Sequence, residues 1–414
     1  MDYKITFWCG PKKEYLSKER IKEAVNCGFN VLECAYDTET NKQVLKWCEE
    51  LSVKANVQDP RMGIACAGEP GWEKAVDDII EDYKAYPALN RFFIKDEPQD
   101  AYFPTLARVV KYLHEHDKKH SEYINLLPLP AVPPIETYKK HVEGFIDTVN
   151  PKILSYDHYN LMKKEVESLD GCREAWVSYD NRKRNGWENK LFAAYDREGY
   201  YDNLEIIKSS ANAHNIPWMI IILLVEHWHY RRPNESEIRW EALNALTYGS
   251  TELSYFTYWT PGVENTEPWS YHHGMISADG VREEPYYIVQ RINRELQTLY
   301  KGITEKAPFD NKAPEGFNSK SVYHVGEKEE TESLVSYFGG NDVIEEIDTK
   351  RAVAGFFGTN RMMITNKDCI NPQLITIKSK KELFHLNKAT KEWEKVQGPA
   401  VLAAGDGELF AWKE

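Results

Sequence analysis

Two acids stand side by side in Arg91-Phe-Phe-Ile-Lys-Asp-Glu-Pro-Gln99, directly after a short apolar, aromatic run. Such a run reads as a buried strand, and Pro98, which has no N–H to give, ends its ladder. Asp96 and Glu97 therefore stand where a strand leaves the core, a position from which a carboxyl group can exchange protons with a bound molecule. Glu226 follows a fully apolar run in the same way, in Leu223-Leu-Val-Glu-His-Trp-His-Tyr230. One protonated and one ionised carboxyl group are what cleavage of a glycosidic bond commonly needs. The first donates to the leaving oxygen, and the second attacks the anomeric carbon or activates water. The plainer roles are a helix cap for Asp96 or Glu97 and a surface ion pair between Glu226 and Arg231 or Arg232.

Acids on different strands cooperate only if the fold gathers strand ends. Apolar runs predict strands at 4–8, 30–34, 53–57, 91–95, 123–127, 152–156, 218–225 and 252–258. Amphipathic stretches between and after them predict helices at 17–27, 41–51, 72–86, 104–116, 135–149, 200–214, 235–248 and 285–300, with Ser17 as an N-cap and Gly28 as a stop. Residues 61–71 read as a long loop, and 157–199 as an irregular stretch dense in Tyr, Trp and charge. A connection of that length is usually functional. With Trp176, Tyr179, Trp187 and the basic run 182–184, it would wall a cleft; the plainer reading of the basic run is a solvated loop. Strand–helix alternation of this kind predicts an α/β fold, a (β/α)₈ TIM barrel. An open doubly wound sheet would want a glycine-rich phosphate loop after the first strand, which Cys9-Gly-Pro-Lys12 is not.

On a barrel, Glu97 follows strand four and Glu226 follows strand seven, so the two face one another across the C-terminal mouth. Other polar groups rim the same end. They are Glu33, Tyr36 and Asp37 after strand two, Asp59 and Arg61 after strand three, and Asn125 on strand five. Asp157, His158 and Tyr159 follow strand six, His227 and His229 follow Glu226, and His272 and His273 lie beyond Trp259. The histidines lack HExxH or another compact ligand spacing, so no metal and no cofactor is expected. No GxSxG elbow is present for a serine hydrolase. After residue 302 short alternating runs at 322–324, 333–338, 361–365, 373–378, 382–386 and 409–412 predict a C-terminal all-β sandwich, dividing the chain at 1–302 and 303–414.

A net charge of −13 argues against nucleic acid or an anionic membrane as partner. Twelve Trp and 25 Tyr suit a carbohydrate-binding cleft, where flat amphipathic rings meet sugar faces, although an aromatic core would give the same counts. The seven cysteines form no CxxC pair and read as buried thiols rather than a disulfide framework. No apolar run is long enough to cross a membrane. Met1 leads straight into a strand; the compartment is cytoplasmic unless a signal peptide has been removed, in which case it is the periplasm or cell surface.

The chain resembles the large clan of retaining glycoside hydrolases on (β/α)₈ barrels, and within it bacterial β-galactosidase- and agarase-related proteins. The resemblance lies in Phe93-Ile-Lys-Asp-Glu-Pro98, Leu154-Ser-Tyr-Asp-His-Tyr159, Ala245-Leu-Thr-Tyr-Gly249, Tyr255-Phe-Thr-Tyr-Trp259, Gly274-Met-Ile-Ser-Ala-Asp-Gly280 and Arg291-Ile-Asn-Arg-Glu-Leu296. It implies Glu97 as acid/base, Glu226 as nucleophile, Tyr156 as the nucleophile's hydrogen-bond partner and Trp259 as the platform under the sugar. Asp96, Asn125, Glu33, His158 and His227 would complete the carbohydrate subsite. The clan usually has Asn before the acid; Asp96 stands there instead, and its charge would raise the pKa of Glu97. The expected activity is hydrolysis of an O-glycosidic bond, β-galactosidase-like and retaining. The alternatives are an inverting enzyme with a different second acid, or a barrel that only binds carbohydrate.

Overall fold

The computed structural model describes residues 2–168, 170–172, 175–176, 191–262, 270–312, 314, 317, 319 and 321–413. Eight parallel strands form the barrel: Lys4–Phe7, Val31–Cys34, Lys54–Val57, Leu89–Asp96, Ser121–Leu126, Leu154–Asp157, Trp218–Leu223 and Glu252–Phe256. They are called the first to eighth barrel strands below. Hydrogen-bonded ladders run from the second strand round to the eighth and on to the first. Asn30 spans the remaining seam: its amide donates to the Tyr3 carbonyl, and its side-chain oxygen accepts from the Ile5 N–H at 2.8 Å.

The predicted punctuation explains the local structure. The Ser17 side chain caps the helix Lys18–Asn26, and Gly28, at φ +99°, lets the chain turn where a Cβ would lie 2.8 Å from Asn293. Asp37 caps Thr38–Glu50, which starts three residues earlier than predicted. The barrel lumen is a small core of its own, in which Phe93, Tyr123, Ile153 and Met219 pack with Trp8. At its base Arg91 forks onto Glu252 through two bonds of 2.6 Å, and Lys4 lies 3.2 Å from the same carboxylate.

Two stretches read as loops hold regular structure. Met62–Ala67 is a short helix closed by Gly68 in the left-handed region. Within 157–199, strands Leu161–Val166, Leu191–Asp196 and Ala175–Trp176 form a small antiparallel sheet. Tyr179, Trp187 and the basic run 182–184 lie outside the described residues.

The C-terminal part is a sandwich. A six-stranded antiparallel sheet, Ser321–Gly326, Arg351–Phe357, Arg361–Asn366, Gly407–Trp412, Leu383–Leu386 and Trp393–Lys395, faces a three-stranded one, Ile344–Asp348, Gln373–Ser379 and Ala400–Leu402. The stretch 333–338, predicted as a strand, is no strand. The backbone N–H groups of Ser333 and Leu334 are drawn instead onto the Asp202 carboxylate of the barrel helix Tyr200–His214. One face of the six-stranded sheet packs on the small sheet; on the other, Val353, Phe357, Met363 and Leu409 join the core that surrounds the barrel.

The contact is close. A Cβ on Gly355 would sit 2.0 Å from the Thr247 carbonyl oxygen, at the end of the helix Glu235–Thr247. Backbone cannot yield as a flexible side chain does, so Gly355→Val is expected to cost about 1–3 kcal/mol or more and to lower the unfolding midpoint in calorimetry. An unchanged midpoint would mean that the sheet does not bear on this helix.

Candidate active site

The acids of the fourth strand reach the mouth through a β-bulge. Its register with the fifth strand shifts between Phe93 and Lys95, so that Phe93 pairs with Tyr123 and Asp96 with Asn125. Strict alternation from Phe93 would have sent Lys95 into the lumen and Asp96 out of it; the extra residue reverses both. Glu97 then takes φ +43°, uncommon for a residue with a side chain, while its N–H bonds the Asn125 carbonyl at 2.8 Å.

Asn125 organises the carboxyl groups. Its side-chain amide donates to Asp96 at 3.1 Å and to Asp157 at 2.9 Å, and its oxygen accepts from Ser155 at 2.9 Å. Asp157, which ends the sixth strand, is 6% exposed, whereas Asp96 and Glu97 are open at the mouth. Glu97 and Asp157 line the same cavity, and each carboxyl group acts electrostatically on the other. Burial first, and then the charge of Glu97, pushes the Asp157 carboxyl well up; burial and the Asp96 charge raise Glu97. Neighbouring carboxyl groups resist double ionisation, so protonation of this pair persists to higher pH than that of an isolated carboxyl.

The pair opens on a cavity of about 390 Å³. Trp8, Tyr159, Trp228, Tyr230, Phe256 and Tyr271 give it aromatic walls, and Asp96, Asn125, His227 and Arg197 add polar groups. Tyr159 stacks on Phe256 with ring centres 5.4 Å apart, and His227 on Tyr271 at 5.0 Å. The His227 Nδ1 donates to the Val225 carbonyl at 3.0 Å, and burial lowers its pKa to about 4, so the imidazole is neutral. Asp96 also borders a second cavity, of about 890 Å³, between the ends of the second, third and fourth strands. Among the described residues no group of three or more His, Cys, Asp or Glu side chains is arranged to hold a metal ion. No helix among them is long and apolar enough to cross a membrane.

A scan against known protein families found no match, and a search among curated proteins found none either. Solved structures do match. A family 39 glycoside hydrolase from the gut symbiont Bacteroides cellulosilyticus WH2 aligns over 100% of this chain and 81% of its own, at 10% identity and a TM-score of 0.52. The β-galactosidase of the psychrophilic Marinomonas ef1 aligns over 72% of this chain at 12% identity and a TM-score of 0.49, and this chain spans 60% of its length. A glucosidase from Croceicoccus marinus covers 100% of this chain and 95% of its own, at 10% identity and a TM-score of 0.49. With the family 39 enzyme, what is shared is the fold.

Of the residues singled out from sequence, the structure brings Asp96, Glu97, Asn125 and His227 together around one cavity. Glu226 is placed differently. It is 7% exposed, lies 2.8 Å from the Lys163 ammonium and bonds through its backbone to His272, and its side chain is not part of the cavity lining. Arg231 and Arg232, its expected partners, pair with Glu237 and Glu284.

Four others are not brought to the cavity. Tyr156 faces the helices beside Trp218, because alternation along the sixth strand turns Ser155 and Asp157 inward and Tyr156 outward. His158 is fully buried against Asn203 and Tyr200, its pKa lowered to about 4 by burial. Trp259, 1% exposed, packs against Tyr15 with the Arg20 guanidinium 5.4 Å above its ring, and Phe256 takes the place in the cavity wall expected for it. Glu33 accepts from Asn56 at 2.8 Å and Thr6 at 3.3 Å between the first three strands, where desolvation pushes its carboxyl up to about 8. Sequence reading gave no role to Arg197 or Tyr230 and placed Asp157 only on the rim. The signal for Asp157 was present, since it ends the sixth strand as Asp96 ends the fourth.

Proposed function

We propose that the protein is a glycoside hydrolase in which Glu97 protonates the leaving oxygen. The observation that carries this reading is the Glu97–Asp157 pair at the edge of an aromatic-walled cavity. Both carboxyl groups line the cavity, Asp157 as the buried member and Glu97 as the open one, and the open position is what favours Glu97 as the group that meets the leaving oxygen. The pair carries one negative charge before donation and two after it, and the added charge arises as positive charge develops at the anomeric carbon.

For the second carboxylate, Glu226 follows the seventh strand and lies 2.8 Å from the Lys163 ammonium. In the retaining version Glu226 attacks the anomeric carbon, and Glu97 then deprotonates the water that releases the sugar. Galactosides are the first substrates to test.

A second reading is favoured by the lining itself, which holds Asp96 but not Glu226. Here a 2-acetamido group of the substrate closes on its own anomeric carbon, with Asp96 holding the amide N–H, and water reopens the ring. A panel of aryl β-galactosides and 2-acetamido-glycosides, with Glu226→Gln alongside, separates the two. Loss of galactoside turnover in Glu226→Gln supports the nucleophile role; turnover confined to acetamido sugars and indifferent to Glu226→Gln supports the second reading. No turnover of any glycoside or oligosaccharide would leave a barrel that only binds carbohydrate.

Because the charge of Asp96 helps to hold the proton on Glu97, Asp96→Asn is expected to move the alkaline limb of the kcat/KM profile to lower pH. A shift to higher pH, or none, would show that Asp96 does not set the acid's pKa.

A further inference from the structure

Among the described residues, the proposed catalytic cavity is lined by three acids but also by one cation, Arg197. It follows directly on the strand Leu191–Asp196, and its backbone N–H is tied to the Asn160 carbonyl at 2.7 Å. One guanidinium nitrogen reaches the Tyr230 hydroxyl at 3.4 Å, and among the described residues no carboxylate lies within salt-bridge distance of the group. Other arginines of this chain are used differently: Arg91, Arg231 and Arg361 are each buried and paired with an acid. A guanidinium carries five N–H donors in a planar fork matched to an oxyanion. Arg197 lines a cavity in a protein of net charge −13, where nearby acids repel any anion that lacks such a partner.

We propose that Arg197 selects a glycan bearing an oxyanion, a uronic acid carboxylate or a sulfate ester, on the sugar bound in this cavity. The inference rests on the glycosidase reading for its kinetic consequence but not for binding. The cation is fixed by backbone and Tyr230 and needs no rearrangement to meet a carboxylate or sulfate from the cavity side. The three acids of the same cavity are then left to the anomeric end of the sugar, and the charged substituent to Arg197.

The test compares aryl β-galactoside, β-galacturonide and β-galactoside-6-sulfate on the wild type and Arg197→Gln. The ratio of kcat/KM for the better anionic substrate to that for the neutral one is expected to fall by roughly 10- to 100-fold in the variant. The uronide and sulfate arms tell which oxyanion fits. In parallel, calorimetric titration with free galacturonate and galactose reads the same preference without turnover. Weaker galacturonate binding by Arg197→Gln, with galactose binding altered far less, supports the inference even if no glycoside is cleaved. An unchanged ratio, or equal weakening for both sugars, overturns it and leaves the role of Glu97 standing. Absence of all cleavage with the binding preference intact would instead count against the glycosidase reading.

Discussion

Glu97→Gln is expected to lower turnover about 10²- to 10⁴-fold while leaving the unfolding midpoint close to that of the wild type. The amide keeps the shape and hydrogen-bonding reach of the carboxyl group but has no proton to give. Because Glu97 is open at the mouth, little packing is lost with its charge. The loss should also depend on the leaving group. A nitrophenolate departs readily without a proton, whereas a sugar alkoxide does not, so the variant should fail most completely on oligosaccharides and least on activated aryl glycosides. Steady-state kinetics across leaving groups of graded pKa would check this. Equal activity of variant and wild type on an unactivated substrate would remove Glu97 from the mechanism.

The largest effect on stability is expected at the other end of the lumen. Glu252→Gln would leave Arg91 and Lys4 side by side in the barrel without the carboxylate that both now bind. Arg91 and Glu252 are 8% and 3% exposed, so solvent cannot take over. Removing one partner of such a pair costs about 3–5 kcal/mol, mostly because the charge left behind is still buried. Denaturant unfolding would measure it, and a loss below about 1 kcal/mol would mean that water reaches the base of the barrel. The pH dependence has a definite sign. Burial opposes ionisation of Glu252, but Arg91 and Lys4 outweigh it and hold the carboxyl below its ordinary value of 4.5. The pair's contribution is therefore complete at neutral pH and is lost as pH falls through the folded-state value.

The barrel was legible because its strands are short apolar runs closed by residues with one physical reading: Ser17 as cap, Gly28 as stop, Pro98 as ladder breaker. The C-terminal strand Arg351–Phe357 was not, because both its faces are buried and Arg-Ala-Val-Ala-Gly-Phe-Phe shows no alternation. The short helix Met62–Ala67 was hidden among glycines and alanines that also suit a loop.

At the site, the positions of the acids along the strands could be read, but the direction of the side chains could not. The extra residue in the fourth strand decides that Asp96 rather than Lys95 faces the lumen, and pairing with the fifth strand creates it. Inward parity on the sixth strand selected Asp157 over Tyr156. The partner of Glu226, Lys163, comes from the small sheet inserted after the sixth strand, sixty-odd residues upstream in sequence, a distance over which local pattern carries no information.

The glycine contacts between the sandwich and the helix Glu235–Thr247 bear on how the molecule comes apart. Gly355 and Gly405 each bring backbone to where a Cβ would lie 2.0 Å from a carbonyl oxygen of that helix, and one apolar core runs through both halves. The outer face of the six-stranded sheet and the core around the barrel cover one another's apolar side chains, so heat or denaturant should melt the two halves in a single cooperative step. The passage from parallel barrel to antiparallel sandwich is thus a change of topology, with no corresponding seam expected in the free energy of unfolding.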